Sequence, residues 1–369
     1  MKALLLSCGT GGGHNAAAQA IAEELLRRGD TVTILNPYDL CSDRVAKCID
    51  RAYILLAQRI PRAFGALYTL GDLYSRLRWR SPLYFANGRA AGAMDAYLRA
   101  NPVDVIIMTH LFPAQILTYM RSHGMSVPKT ILVSTDYTCI PFFKECKCDY
   151  YVTPSPKLTA EFTKRGVAEE QIMPLGIPVG GACLDSLTRE EARKELKLRM
   201  DCRYLLVAGG SIGAGKMEKT IAILSSLIKG TNWNLIIVCG NNKRLLRKLE
   251  AKHYAQSRLI GHTSQMPLYL RACDAFFSKP GGLSITEAAV MEVPLVLLPP
   301  IPGCESRNFR FFVREGLCLP AEVSVKGLQH TLRLLDTYPV CEQMFQRQKD
   351  TIVKDAASRI VDLAAFGRQ

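Results

Sequence analysis

Short apolar runs recur along the chain, each closed by small or polar residues and followed by a stretch of helical spacing. In the first half these are residues 3–6, 31–35, 103–108, 129–134 and 149–152, and in the second 204–208, 235–239, 259–260, 275–277 and 294–299. Runs apolar on both sides of the pleat, spaced by amphipathic helices, predict parallel strands with both faces covered. Helices are expected from the glycines at 11–13 to near Gly29, and over roughly 113–123, 155–165, 188–198, 241–250, 266–273 and 342–366. The rhythm breaks over residues 39–99, which are rich in Arg, Tyr, Leu and Ala. The fold class is therefore α/β, with two nucleotide-fold halves.

Composition sharpens this outline. A chain of 369 residues, 48% hydrophobic and 22% charged, has the size of two domains and the balance of a globular protein. No apolar run reaches the roughly 20 residues that a membrane-spanning helix needs. The apolar start at Ala3–Leu6 is too short for a signal peptide, so the expected place is the cytoplasm. The thirteen cysteines are then reduced thiols, and Cys146-x-Cys148 lacks the spacing of a zinc pair. The net charge of +14 favours a polyanionic partner. Between Arg44 and Arg99 ten basic residues face three aspartates, half of the whole surplus, interleaved with aromatics. Arg76, Arg78, Trp79, Arg80 and Tyr84 in that block suit an interfacial segment on an anionic membrane surface. Nucleic acid is not expected as a partner, since no DNA- or RNA-binding signature is present.

The chemistry gathers at strand ends. Ser7-Cys8-Gly9-Thr10-Gly11-Gly12-Gly13-His14 turns the first strand into a helix, with the wrong spacing for a dinucleotide fingerprint. Thr109-His110 and Thr135-Asp136-Tyr137 close two further strands. In the second half Gly209-Gly210-Ser211-Ile212-Gly213-Ala214-Gly215-Lys216 is a phosphate cradle without the form of an ATPase loop, because Met217 follows Lys216. Lys279-Pro-Gly-Gly-Leu-Ser-Ile-Thr-Glu-Ala288 is a second cradle, with Ser284 expected as N-cap and Glu287 as its capping-box partner. A helix N-terminus behind glycines offers amides and a dipole to phosphate. Pro294 then leads a short strand into a polar loop, Pro302-Gly303-x-Glu305-x-x-Asn308.

These last motifs together resemble the donor site of glycosyltransferase family 28, in particular its diacylglycerol glycosyltransferases. The transferase that adds N-acetylglucosamine to lipid I is a more distant likeness. The resemblance implies a GT-B fold, two Rossmann-like domains facing across a cleft. It implies an inverting hexosyltransferase of glycolipid biosynthesis that uses a UDP-hexose and diacylglycerol. The enzyme would lie peripherally on the inner face of the cell membrane. The acceptor and membrane domain is expected over 1–178, the donor domain over 179–345, and a terminal helix crossing back over 346–369. Where the family continues Thr-Asp-Tyr with a histidine, this chain has Cys139, so no role of that histidine carries over.

Transfer with inversion needs a base, fixed donors for the diphosphate and a clamp for the sugar. His14 is the first candidate for base, with Asp136 as rival or orienting partner. Gly11, Gly12, Gly13 and His110 fall on the acceptor side. Gly210, Ser211, Gly213, Gly215, Gly281, Gly282 and Ser284 are assigned to the diphosphate. Glu287 is assigned to the ribose, Glu305 and Asn308 to the sugar, with Thr286 and His262 beside them in the donor site. No Asp-x-Asp motif is present, so neither a metal nor a further cofactor is expected. The alternatives are a lipid I type transferase and a nucleotide-sugar epimerase.

Overall fold

A computed structural model describes residues 1–8, 12–41, 70–75, 79–210 and 216–367. Gly11, Arg76, Arg78, Ser211, Gly213 and Gly215, all expected at a site, lie outside these residues, as does the basic stretch 42–69. The chain forms two six-stranded parallel sheets. The first has strands β1 (Lys2–Leu6), β2 (Thr31–Leu35), β3 (Val105–Met108), β4 (Lys129–Val133), β5 (Tyr150–Val152) and β6 (Ile172–Met173), in the order β2-β1-β3-β4-β5-β6. The second has β7 (Arg203–Ala208), β8 (Trp233–Val238), β9 (Ser257–Ile260), β10 (Ala275–Ser278), β11 (Leu295–Leu297) and β12 (Leu319–Pro320), ordered β12-β11-β10-β7-β8-β9.

Helices α1 (Gly12–Arg27), α2 (Pro82–Gly88), α3 (Ala91–Ala100), α4 (Leu111–Ser122) and α5 (Thr159–Lys164) accompany the first sheet. The second carries α6 (Arg189–Glu195), α7 (Met217–Leu227), α8 (Lys243–Glu250), α9 (Met266–Ala272), α10 (Gly282–Val290), α11 (Cys304–Arg314), α12 (Val325–Leu335) and α13 (Tyr338–Thr351). The last helix is α14 (Ala356–Phe366).

Two compact units result. One holds Met1–Gly181, Pro302–Cys304 and Val353–Gln369, the other Ala182–Ile301 and Glu305–Ile352. In the first, Leu5, Ile107, Ile131 and Val133 form a core with Ile21 and Leu25 of α1 and with Ile360, Val361 and Leu363 of α14. Leu4, Leu6, Ile106 and Met108, one residue out of step, are buried on the opposite face. Both faces are covered, which is why these strands read as unbroken apolar runs. In the second unit Leu205, Val207, Leu235, Ile237, Phe277 and Val296 meet Ile221 and Leu224 of α7 and Leu328 of α12.

Three local expectations change. The helix foreseen over 342–366 divides, because Ile352 turns extended and Val353 packs against the backbone of Gly176. The polar loop carrying Glu305 and Asn308 is helical, its i, i+3, i+4 set Asn308, Phe311 and Phe312 being the buried side. The capping box forms at Thr188 and Glu191, where both reciprocal hydrogen bonds are made, and not at Ser284. Gly281 is the N-cap of α10, and no side chain caps that helix.

Gly176 has φ +94°, and a Cβ there would lie 2.8 Å from Val353 Cβ and 3.1 Å from Ala356 Cβ. Gly176→Ala is therefore expected to destabilise the protein by at least about 1–3 kcal/mol, the cost of a strained left-handed residue plus the clash. Urea unfolding measures it; an unchanged midpoint contradicts the packing described.

Candidate active site

In the first unit the register sets three strand ends level, Leu6 against Met108 and Met108 against Leu132. Strand order reverses between β1 and β3, and such a switch point at the carboxyl edge is where open α/β sheets bind ligands. His14 stands there as the third residue of α1, and Ser7 Oγ donates to Asn15 Oδ1 at 2.6 Å to tie helix to strand end. His14 Nδ1 lies 2.8 Å from the Thr109 carbonyl oxygen and 2.9 Å from Thr135 Oγ1. A carbonyl only accepts, so Nδ1 carries the hydrogen and Nε2 keeps the lone pair. Burial lowers the pKa of His14, opposed by the charge of Asp136 and by the Thr109 hydrogen bond. The ring is thus neutral near pH 7, the form a base needs.

His110 meets His14 edge to face, ring centroids 4.6 Å apart. It is the N-cap of α4: its Nδ1 accepts from the Phe112 N–H at 3.2 Å, and burial holds it well below the ordinary histidine pKa. Gly12 and Gly13 open α1. Asp136 is part-buried, three residues beyond Val133, the end of β4.

In the second unit β7 and β10 end level, Ala208 beside Ser278, again where the strand order reverses. Gly210 has φ +69°, and a Cβ there would come 2.7 Å from Lys279 Cε. The lysine stem therefore crosses Gly210, and its Nζ reaches the backbone of Gly281, 3.4 Å from where a Cβ would stand. Lys279 pairs with Glu305, whose other oxygen accepts from the Ile301 N–H at 3.2 Å. Sequence reasoning omitted Lys279 from the site, although the motif that starts with it was the signal. It set Glu305 on sugar hydroxyls, and in the structure that carboxylate is held by Lys279.

Gly282, Ser284 and Thr286 lie in the first turns of α10, and the Thr286 hydroxyl donates to the Gly282 carbonyl at 2.7 Å. Asn308 is fully buried, its Nδ2 donating to the Pro280 carbonyl at 3.0 Å, so it braces the turn before α10. His262 is exposed beyond the edge strand β9, two strands from β7. Glu287, in the second turn of α10, has no hydrogen-bond or ion-pair partner among the described residues. Burial alone pushes its carboxyl up to about 7. A partly desolvated carboxyl with no partner, one turn inside the helix, is suited to the hydroxyls of a ligand.

The interfacial reading of residues 76–84 needs correction in two places. Tyr84 is buried, and Arg80 is turned inward, donating to the Glu145 carbonyl and stacking over the Tyr84 ring at 4.5 Å. Neither side chain is free to lie on a bilayer. The exposed large apolar side chains of this stretch are Leu70, Leu73, Trp79 and Phe85, with Trp79 at 73%.

Comparison with known proteins gives matches along nearly the whole chain. Residues 14–179 match the model of monogalactosyldiacylglycerol (MGDG) synthase, and residues 204–360 the glycosyltransferase family 28 C-terminal domain. The chain is 25% identical over 367 residues to a processive diacylglycerol beta-glucosyltransferase of Bacillus pumilus (strain SAFR-032), covering 98% of this chain and 94% of the relative. It is 27% identical over 349 residues to the probable monogalactosyldiacylglycerol synthase 3, chloroplastic, of Oryza sativa subsp. japonica, covering 90% and 66%. The crystal structure of Acinetobacter baumannii MurG superposes with a TM-score of 0.62 at 16% identity, over 99% of both chains. The fold is thus the two-domain GT-B fold.

Proposed function

The chain belongs to the diacylglycerol glycosyltransferases of glycosyltransferase family 28, and from that premise we propose that it transfers a hexose from a UDP-sugar to diacylglycerol, with inversion, at an anionic membrane face. The enzyme is a glycosyltransferase and its acceptor is diacylglycerol. The observation that carries the chemistry is the histidine at the first switch point, held with Nδ1 protonated and Nε2 available. Nε2 takes the proton of the acceptor hydroxyl as its oxygen bonds to the anomeric carbon. The bond from that carbon to the diphosphate breaks on the opposite side, and UDP leaves.

In this reading the leaving diphosphate is met by the N-terminal amides of α10 and by Lys279, which Glu305 holds in place, and neither a metal nor a further cofactor takes part. Glu287 holds the ribose. The N-terminal half, which recognises the acceptor in this reading, matches the diacylglycerol model, and this favours diacylglycerol over a lipid I acceptor. The test is incubation with UDP-glucose, UDP-galactose or UDP-N-acetylglucosamine and diacylglycerol vesicles, followed by mass analysis of the lipid. A hexosyl-diacylglycerol is expected. A converted UDP-sugar with unmodified lipid would show an epimerase instead.

Among the described residues no helix is long and apolar enough to cross a membrane. We place the membrane contact at Leu70, Leu73, Trp79 and Phe85, whose exposed apolar surface is supported by the basic charge of the same stretch. Nucleic acid has no part in this reading, and the contact fits a peripheral enzyme on the inner leaflet. Replacing Leu73 and Trp79 by Ser removes two side chains each worth about 1.5–3 kcal/mol on burial, so partitioning onto phosphatidylglycerol vesicles should fall by about a hundredfold or more. UDP binding should persist, and wild-type pelleting by the double variant would place the contact elsewhere.

A further inference from the structure

We propose that Thr135 is a positioning residue for the transfer: its hydroxyl serves as the second acceptor of the His14 Nδ1–H, locking the ring with Nε2 outward and stabilising the imidazolium that forms. This rests on His14 being the base. The Thr109 carbonyl, at 2.8 Å, places the hydrogen on Nδ1. Thr135 Oγ1, at 2.9 Å from the same nitrogen, can then only accept from it. One acceptor leaves a ring free to swing about a single hydrogen bond, whereas two acceptors from neighbouring strand ends fix its plane. Thr109 follows β3 and Thr135 follows β4, and these strands pair directly. Thr135 is 8% exposed, so water does not replace its hydroxyl cheaply.

The packing of His110 adds the third side, edge to face at 4.6 Å. Because His110 Nδ1 accepts from the Phe112 N–H, that ring is neutral and brings no competing charge. Among the described residues, the titratable groups facing His14 are therefore His110 after β3 and Asp136 after β4. When Nε2 takes the acceptor proton, positive charge spreads to Nδ1–H, and both acceptors strengthen in the transition state. Such an interaction raises kcat and leaves donor binding alone.

The experiment is steady-state kinetics of the full chain with UDP-hexose and diacylglycerol vesicles across pH, for wild type, Thr135→Val, Thr135→Ser and His14→Ala. Thr135→Val is expected to lower kcat about ten- to hundredfold, the scale of one hydrogen bond to a charged group. Its donor KM should stay unchanged and the acid limb of kcat should move to lower pH, because the imidazolium has lost a stabilising partner. Thr135→Ser should restore both. Wild-type kcat and an unmoved limb in Thr135→Val, with His14→Ala inactive, would overturn the inference while leaving the base in place. An active His14→Ala would overturn the base and this inference together. Should Thr135→Val fail to fold, Thr135→Ala is read by the same two measurements.

Discussion

His14→Ala is expected to lower kcat by about 10² to 10⁴, the usual size of a lost general base. Its affinity for UDP should not change. The residues assigned to the nucleotide, Lys279, Gly281 and Glu287, belong to the other compact unit, and the variant removes no contact of theirs. The pH dependence follows from burial. Because the pKa of His14 is held below 6.5, kcat at saturating donor should stay level through pH 7 and fall only in more acidic solution. A variant with near-normal kcat would transfer the role to Asp136, which stands on the same edge.

The second large effect lies in the donor unit. Glu287→Ala should weaken UDP-sugar binding tenfold or more, since a hydrogen bond from a hydroxyl to a charged group contributes roughly 1.5–3 kcal/mol. The carboxyl titrates at about 7 in the free protein, and the ionised form accepts hydroxyls best. Donor affinity should therefore rise with pH through neutrality, and UDP binding at pH 7 should release protons, seen by calorimetry in buffers of different ionisation enthalpy. Both signals should vanish in Glu287→Gln.

That variant should also be more stable. With the folded pKa raised from 4.5 to about 7, the native state holds the proton more tightly. Stability is lost as pH rises through this window, and the full cost is present above pH 7. Gln carries no such cost, so its thermal midpoint should match wild type near pH 4.5 and exceed it at pH 8. The gain is on the order of 2 kcal/mol once partial exposure is allowed for. Unchanged UDP affinity in both variants would remove Glu287 from the site. A site residue whose removal stabilises the empty protein is what a desolvated, unpartnered carboxyl predicts.

Much of the fold was legible because its signals are local. Strands buried on both faces appear as short apolar runs, and glycine-rich turns follow strands in this pattern, so Gly12–His14 and Gly281–Glu287 mark the two carboxyl edges in the sequence itself. The two-residue strands β6 and β12 left no such mark, for a run so short carries no periodicity and forms only because a neighbour offers its edge. The capping box shows the limit of a local signature: Thr188 and Ser284 head the same four-residue pattern, yet α10 begins two residues before Ser284, at Gly282.

What only the tertiary structure decided is which partner each polar side chain takes. Glu305 and Lys279, 26 residues apart, find each other past an intervening helix and strand. Arg80 turns inward onto the Glu145 carbonyl and Tyr84 packs against Tyr119, leaving Leu70, Leu73, Trp79 and Phe85 outside. Thr109 and Thr135 reach His14 from 95 and 121 residues away. Residue type and spacing set what a side chain can bond, but the energy of a bond depends on its distance and on the water excluded around it. Those are settled when strands far apart in sequence come into register.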